Sequence, residues 1–240
     1  MIVIPMAGLS RRFSEAGYRL PKYMLPLQGR SVFALAVASF AAYFATERFL
    51  FIARPVDGTE AFIMRECAAL GMADFRVVML DAPTAGQAET VERGLDHAGI
   101  GPEASLTIFN IDTFRPGFRH PEAAWTRRSD GYLEVFRGSG ANWSYVRPAG
   151  GDEPLALETA EKRQISDLCC TGLYHFARAD EFRTALAAER AAPSLGERYV
   201  APLYNHLIAA GRRIHYAEVP LSAITFCGVP AEYEAALGCG

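Results

Sequence analysis

The sequence has 240 residues, of which half are hydrophobic and 21% charged, as in globular proteins with a sizeable core. Its formal net charge of −3 argues against broad electrostatic binding to nucleic acid or to an anionic membrane surface. An anionic ligand would therefore have to be met by a local basic cluster. Residues 1–30 contain one, formed by Arg11, Arg12, Arg19, Lys22 and Arg30.

The sequence carries no pattern typical of export or of membrane insertion. It starts directly on strand-like residues, without the charge pattern of a secretory signal peptide. No apolar stretch approaches the roughly 20 residues that a membrane-spanning helix needs. Five cysteines are scattered without a Cys-x-x-Cys pair, which favours reduced thiols. These features predict a cytoplasmic protein.

The first half of the chain alternates between strand and helix patterns. A short continuous apolar run at 2–6 predicts a strand that is buried on both faces, and three further strands are predicted at 48–53, 75–80 and 106–111. Helical patterns between them predict helices at 32–44, 59–70 and 87–98. Thr59 is the predicted N-cap of the second helix. Strands separated by helices imply parallel βαβ units with right-handed crossovers.

The second half is richer in strands. Strand patterns occur at 131–136, 144–147, 154–159, 171–176 and 214–219. Helices are predicted at 180–189, at 199–210 and after Pro230. We therefore predict one α/β domain over residues 1–240, with a mostly parallel twisted sheet flanked by helices and a mixed-sheet second half.

The loop AGLSRRF, at residues 7–13, follows the first predicted strand, and Pro21-Lys22 comes soon after it. Ligands of open α/β sheets bind beyond the carboxyl ends of the strands, where this loop lies. Gly8 would let the backbone approach a phosphate, Arg12 would supply a fork of donors, and Lys22 a compact charge. Lys22 and Lys162 are the only lysines of a chain otherwise supplied with arginine, which favours a specific role for both. The alternative is a turn with solvated basic residues.

The loop resembles the signature of the sugar-nucleotidyltransferase family, in which a glycine-rich loop ends in a basic residue and Pro-Lys follows. Ser10 stands where the family usually has a second glycine, so we expect an ordinary backbone conformation there. Further segments are similar to family motifs along nearly the whole chain. They are Thr84–Ala88 for base recognition, Asn110–Asp112 with a metal-binding aspartate, Glu161-Lys162 near the sugar phosphate, Thr171–Tyr174 on a sugar-contacting strand, and Gly228–Pro230 in a late turn.

The resemblance implies the nucleotide-diphospho-sugar transferase fold, a Rossmann-like sheet with a lid. Residues 1–115 would form a nucleotide-binding half and residues 116–240 an acceptor-binding half. Such enzymes join a nucleoside triphosphate to a sugar 1-phosphate or a similar phosphomonoester, with Mg²⁺, and release pyrophosphate. Within the family, the segments AGLSRRF, PKYMLP and TAGQAET are most similar to those of the capsule and surface-polysaccharide branch.

The resemblance also implies a set of site residues and partners. The expected partners are a nucleoside triphosphate and a phosphorylated sugar or similar small molecule, with no nucleic acid and no membrane, and a homo-oligomer is left open. The implied residues are Arg12, Lys22 and Lys162 for catalysis, Ala7, Gly8, Ser10, Gln87 and Asp112 for the nucleotide, Glu161, Thr171 and Gly172 for the acceptor, and Asp112 for the metal.

The residues themselves fit this chemistry. A phosphomonoester is mostly a dianion at pH 7 and needs no general base to attack phosphorus, which agrees with the absence of a catalytic-triad pattern; the five histidines are interpreted as structural. Gln87 carries a carbonyl and an amide side by side, which can meet uracil or thymine, or cytosine when flipped. The tight turn expected at Gly86 favours a slot for a single ring. We therefore hypothesise a pyrimidine triphosphate.

One departure from the family pattern leaves alternatives open. Phe226 stands where the family has its second metal-binding aspartate. Either phosphate and water complete the metal site, or another acid such as Asp167 substitutes, or the activity is altered. A nucleotide-binding regulator that has lost catalysis is therefore one alternative. Another is a glycosyltransferase on the same kind of fold, which would have no use for Arg12 and Lys22.

Overall fold

The structure is a computed structural model and describes residues 1–56, 58–191 and 196–238. The strands are β1 (Ile2–Pro5), β2 (Pro26–Leu27), β3 (Arg30–Ser31), β4 (Phe49–Ala53), β5 (Phe75–Met79), β6 (Leu106–Phe109), β7 (Thr113–Phe114), β8 (Gly131–Arg137), β9 (Ser144–Pro148), β10 (Ala156–Glu161), β11 (Leu168–Phe176), β12 (Ile214–Glu218) and β13 (Thr225–Phe226). The helices are α1 (Arg11–Glu15), α2 (Val32–Ala38), α3 (Thr59–Ala69), α4 (Gln87–His97), α5 (Ala179–Ala191), α6 (Leu203–Ala209) and α7 (Pro230–Gly238).

The four strands predicted in the first half form a parallel array. β1 lies between β4 and β6, and β5 lies beside β4, all in parallel register. The prediction of consecutive βαβ units is therefore confirmed. A strand that is apolar on both faces needs cover on both sides, and the helices that connect these strands supply it.

The second half joins this array through β11, which runs antiparallel to β6. β11 also pairs with β8 and, at Cys169, with β9. β12 then runs parallel to β8, and β10 antiparallel to β9. The result is the predicted α/β fold, with one sheet that is parallel in the first half and mixed in the second.

The core lies on both faces of this sheet because successive side chains of a strand point to opposite faces. In β1, Val3 belongs to the cluster beneath α4 and α5, whereas Ile2 and Ile4 belong to the cluster beneath α2 and α3. The four residues of β1 are fully buried. β1 is thus a rigid base for the loop that follows it. No helix in the described part of the chain has both the length and the apolar character to span a bilayer.

Two local predictions were wrong. The helix predicted at 32–44 ends at Ala38, because the carbonyl and hydroxyl of Ser39 accept hydrogen bonds from the backbone N–H groups of Phe118 and Arg115. Thr59 is not an N-cap. Gly58 holds that position with φ 77°, and the Thr59 hydroxyl instead contacts the Tyr23 hydroxyl at 2.9 Å. In both cases a distant segment supplies the partner.

A buried cluster of histidines and a tyrosine lies in the second half of the sheet. The His175 ring stacks on Tyr132 at 4.9 Å between centroids and lies 5.4 Å from the His120 ring. Burial lowers the pKa of His175 to about 3. An unfolded histidine titrates near pH 6.5, so between these values the unfolded chain binds a proton that the native protein does not. Stability present at neutral pH is therefore lost as the pH falls.

This cluster leads to a pH-dependent prediction. Between pH 7.5 and pH 5, we expect His175 alone to remove about 2 kcal/mol from the free energy of unfolding. Over the same pH interval, the free energy of unfolding of the variant His175→Asn should fall by about 2 kcal/mol less than that of the wild type, as measured by urea unfolding. His97→Asn, at an exposed histidine near the end of α4, is the control. Equal losses in the wild type and His175→Asn would contradict the assignment.

Candidate active site

A cleft of about 820 Å³ opens at the carboxyl ends of β1 and β6. Its walls come from the loop after β1, the turn before α4, the loop after β6, the end of β10 and the middle of β11. All the site residues predicted from the sequence line this cleft. They are Ala7, Gly8, Ser10, Arg12, Lys22, Gln87, Asp112, Glu161, Lys162, Thr171 and Gly172.

The loop after β1 takes a different backbone path at Ser10 than expected. Ser10 has φ 50° and ψ 32°, in the left-handed region, so the prediction of an ordinary conformation was wrong. Its carbonyl accepts hydrogen bonds from the N–H groups of Phe13 and Ser14 as the chain turns into α1. A non-glycine residue in this region costs on the order of 1 kcal/mol. Residue 10 thus adopts a backbone conformation that glycine favours, although it carries a serine side chain.

Gly8 and Arg12 face open space. A Cβ added to Gly8 would meet no atom within 4 Å, so nothing in the described chain requires glycine there. Arg12 is exposed, and its guanidinium makes no hydrogen bond or ion pair within the described residues. The accessible backbone at Gly8 and the exposed guanidinium of Arg12 are together suited to bind the oxygens of a phosphate chain.

Lys22 and Asp112 form an ion pair inside the cleft. Lys22 Nζ donates to Asp112 Oδ2 at 2.5 Å, and both side chains are largely buried, with 22% and 16% exposed. Lys22 is held by a 3₁₀ turn whose Tyr23 is buried in the core. Asp112 follows β6, and its carbonyl accepts from the N–H of Cys227. Two distant elements therefore place one cation and one anion in contact.

The turn before α4 is built around Gly86. Gly86 has φ 143°, and a Cβ there would lie 2.5 Å from the backbone of Arg198. The Arg198 N–H donates to the Ala85 carbonyl, and its own carbonyl accepts from the Ala88 N–H. The next residue, Gln87, donates from Nε2 to Asn110 Oδ1 at 2.6 Å, which leaves its carbonyl and one amide hydrogen for a ligand.

The side of the cleft that was predicted to bind the acceptor carries a carboxylate beside an ammonium. The Ser144 hydroxyl donates to Glu161, and burial raises the pKa of that carboxyl. Lys162 has φ 54° and contacts the Tyr199 hydroxyl, a hydrogen bond that raises the pKa of the lysine. Nζ of Lys162 is 4.0 Å from Glu161 and lies 4.5 Å from the Tyr199 ring centroid. The ammonium is thus aimed by its neighbours while half of its side chain stays exposed.

Thr171 and Gly172 have polar groups that are already bonded within the protein, since their carbonyls accept from the Thr113 hydroxyl and the Asn110 N–H. The Thr171 hydroxyl donates to the buried Glu134, which is paired with Arg115, so the hydroxyl is not free to bind an acceptor. Gly172 has φ 96°, and a Cβ there would lie 2.5 Å from Asn110 Nδ2. Glycine is needed at this position because Asn110 lies against the strand.

Sequence reasoning missed the acid that lies near Asp112. Asp167, considered as a substitute for the missing aspartate, does not line the cleft and pairs with Arg137 at 2.6 Å on the surface. Glu232, in the first turn of α7, does line the cleft. Glu232 follows Pro230 by two residues, and an acid in this position is typical of the first turn of a helix, so the sequence did not indicate a ligand. None of the five histidines lines the cleft, and all five lie within the described residues.

The residues present fit a Mg²⁺ ion that is held jointly with a ligand. The described residues hold no group of three or more acidic, histidine or cysteine side chains placed to bind a metal. Mg²⁺ is usually bound through one or two carboxylates together with substrate phosphates and water. Asp112 and Glu232 are hard oxygen donors of this kind, and the Lys22 ammonium already places a positive charge against Asp112.

One cleft of this α/β protein therefore gathers the loop after β1, the turn at Gly86 and the carboxylate of Asp112, as expected of a protein that handles nucleotides. The crystal structure of the nucleoside-diphosphate-sugar pyrophosphorylase from Vibrio cholerae RC9 is 48% identical in sequence, with a TM-score of 0.94. The alignment covers 99% of this chain and 100% of that chain. The chain therefore belongs to the nucleoside-diphosphate-sugar pyrophosphorylase family and is a nucleotidyltransferase.

More distant structures share the fold. A putative glucose-1-phosphate thymidylyltransferase from Bacillus anthracis has a TM-score of 0.75 at 15% identity, over 99% of this chain and 94% of that chain. The inositol-1-phosphate CTP transferase from T. maritima has a TM-score of 0.73 at 14% identity, over 98% and 94%. No protein-family model matches the sequence, and no curated protein matches it either.

Proposed function

We propose that the protein joins a pyrimidine nucleoside triphosphate to a sugar 1-phosphate or similar phosphomonoester, and that the product serves capsule or surface-polysaccharide synthesis. The observation that carries the proposal is the meeting of Lys22 and Asp112 at 2.5 Å inside the cleft behind the loop at 7–13. In this proposal the cation would bind phosphate and the anion would bind the metal, and transfer of a nucleotidyl group requires both in one place.

The reaction needs charge neutralisation and alignment more than proton transfer. An oxygen of the acceptor phosphate attacks the α-phosphorus, a new O–P bond forms, and the bond to the β-phosphate oxygen breaks with release of pyrophosphate. Arg12 would steady the departing pyrophosphate. Lys22 would neutralise the α-phosphate, and Lys162 the attacking phosphate.

The metal would be held by Asp112. When bound, Mg²⁺ neutralises negative charge on the triphosphate oxygens. In the structure the Asp112 carboxylate is paired with the Lys22 ammonium. Release of Lys22 from Asp112 would then make its ammonium available to a phosphate oxygen. The same two residues thus support both the metal and the phosphate.

The deciding experiment measures pyrophosphate release from a panel of nucleoside triphosphates, each combined with a panel of sugar phosphates and other phosphomonoesters. We expect release that depends on Mg²⁺ and needs both substrates. No release from any pair, together with saturable nucleotide binding, would contradict catalysis and favour a regulator. Transfer of sugar from a nucleotide sugar, without pyrophosphate, would instead identify a glycosyltransferase.

The choice of base gives a separate prediction. Gln87 retains a donor and an acceptor for a base edge, and the Gly86 turn is closed tightly by Arg198. We expect CTP, UTP or dTTP with Mg²⁺ to raise the melting temperature. A triphosphate at about 100 times its Kd stabilises a protein by roughly 2.7 kcal/mol. A clear shift with ATP or GTP, and none with a pyrimidine triphosphate, would overturn the pyrimidine assignment alone.

A further inference from the structure

The position of the expected second aspartate is apolar in this protein. Phe226 packs on Trp143 with 4.6 Å between ring centroids and on Phe136 at 5.3 Å. Its strand, β13, pairs with β7, and the Phe226 backbone lies opposite Thr113, the neighbour of Asp112. The strand that would carry a metal ligand is therefore in place, but its side chain supplies aromatic surface and no charge.

A different carboxylate lies close to Asp112. The side chain of Glu232 accepts hydrogen bonds at Oε2 from the N–H groups of Gly228, at 2.7 Å, and Val229, at 3.2 Å. A Cβ on Gly228 would lie 3.5 Å from Glu232 Oε2 and 3.1 Å from Asp112 Oδ2. The two carboxylates therefore flank the same glycine.

The close contacts around Gly228, and not its backbone angle, favour glycine at this position. Its φ does not fall in the left-handed region, so another residue could adopt the same backbone. A side chain there would fill the space beside Asp112, because its first carbon would already lie 3.1 Å from a carboxylate oxygen. Glycine at this position keeps open a space between two acids.

The charges around this space call for a cation. Asp112 and Glu232 are both acidic, and the ammonium of Lys22 contacts Oδ2 of Asp112. Within the described residues, Oε1 of Glu232 accepts no hydrogen bond. Two carboxylates with a free oxygen, completed by phosphate and water, match the hard oxygen ligands of Mg²⁺ or Mn²⁺.

We propose that Glu232 supplies the carboxylate that Phe226 lacks, so that the divalent cation is held between Asp112 and Glu232. The inference rests on the proposed function, since it concerns the same metal. The competing interpretation is that Glu232 only caps the first turn of α7. The two interpretations differ in whether the negative charge matters, because a neutral carbonyl can also accept from backbone N–H groups.

The test measures binding of Mn²⁺ alone, from the electron paramagnetic resonance signal of the free ion. Glu232→Gln keeps a side-chain carbonyl for capping and removes the charge. We expect the Kd for Mn²⁺ to rise about tenfold or more, as loss of a metal-supporting group usually does, while the melting temperature stays close to that of the wild type. Glu234→Gln, on the same helix and hydrogen-bonded to Tyr18, is the matched control and should bind Mn²⁺ as the wild type does.

A rescue variant sharpens the test. In the Glu232→Gln background, Phe226→Asp returns a carboxylate to the strand beside Asp112 and should recover Mn²⁺ affinity. Unchanged Mn²⁺ affinity in Glu232→Gln would overturn the proposal, whether or not the melting temperature falls. Because Mn²⁺ binding is measured without substrate, this result is independent of pyrophosphate release. A protein that binds Mn²⁺ as expected but releases no pyrophosphate would contradict the proposed function alone.

Discussion

Replacement of Lys22 by alanine is expected to lower kcat by about 100- to 1000-fold, by analogy with the loss of one charge-stabilising donor from a transition state. The Lys22 ammonium is largely buried and lies 2.5 Å from Asp112, and under the proposed function it would neutralise the charge that develops on the α-phosphate. Lys22→Arg should restore little activity, because a planar guanidinium needs a different geometry from a compact ammonium. Steady-state pyrophosphate release with saturating substrates is the measurement.

Two controls separate catalysis from folding. Arg19→Ala removes an exposed positive charge from the same basic N-terminal region, and Arg19 does not line the main cleft, so its kcat should match the wild type. A melting curve of Lys22→Ala shows whether the loss of the partner of Asp112 has unfolded the protein. A Lys22→Arg enzyme with a kcat near that of the wild type would refute the assignment of Lys22.

Asp112→Asn should depress the rate at every substrate concentration, by about 100-fold or more. An amide is a poor ligand for the divalent cation that would neutralise the charge of the nucleotide phosphates. The asparagine has the same size, and its side-chain oxygen can still accept from Lys22, so the fold should be retained. The assay is pyrophosphate release over a titration of Mg²⁺, with and without EDTA.

The surface acid Asp167 provides the comparison for this variant. Asp167 pairs with Arg137 outside the cleft, so Asp167→Asn should leave both the rate and the Mg²⁺ dependence unchanged. If the wild type kept full activity in EDTA, the metal assignment would be wrong. Full activity of Asp112→Asn at ordinary Mg²⁺ concentrations would remove this residue from the site.

The parallel half of the fold could be predicted because its signals are local. β1, β4 and β6 are buried along their length and show in the sequence as continuous hydrophobic segments, whereas β5, at the edge of the sheet, is mostly half-buried. The loop after β1 could be identified from residue types and spacing. The end of α2 could not, because Ser39 stops the helix through hydrogen bonds to Arg115 and Phe118, far along the chain.

The details of the site depend on contacts that no local pattern encodes. Ser10 takes a left-handed backbone because the turn into α1 demands it, whereas the residue type alone favours an ordinary one. Glu232 reads as a helix-capping acid, and only the approach of Gly228 to Asp112 shows that its carboxylate borders the cleft. Thr171 was predicted to bind the acceptor, but its hydroxyl donates to Glu134, a partner that lies 37 residues away in the sequence.

The hydrogen bonds between Arg198 and the turn at Gly86 bear on protein engineering. Arg198 comes late in the chain, yet its backbone closes the turn of residues 85–88, and its neighbour Tyr199 contacts Lys162. The two sides of the cleft are therefore held together by contacts between distant parts of the chain. A chimera that takes its first 115 residues from a relative would keep the contacts between residue 198 and residues 85–88 only if the relative's turn fits against residues 196–199. Transferring residues 196–199 together with the turn would preserve that fit.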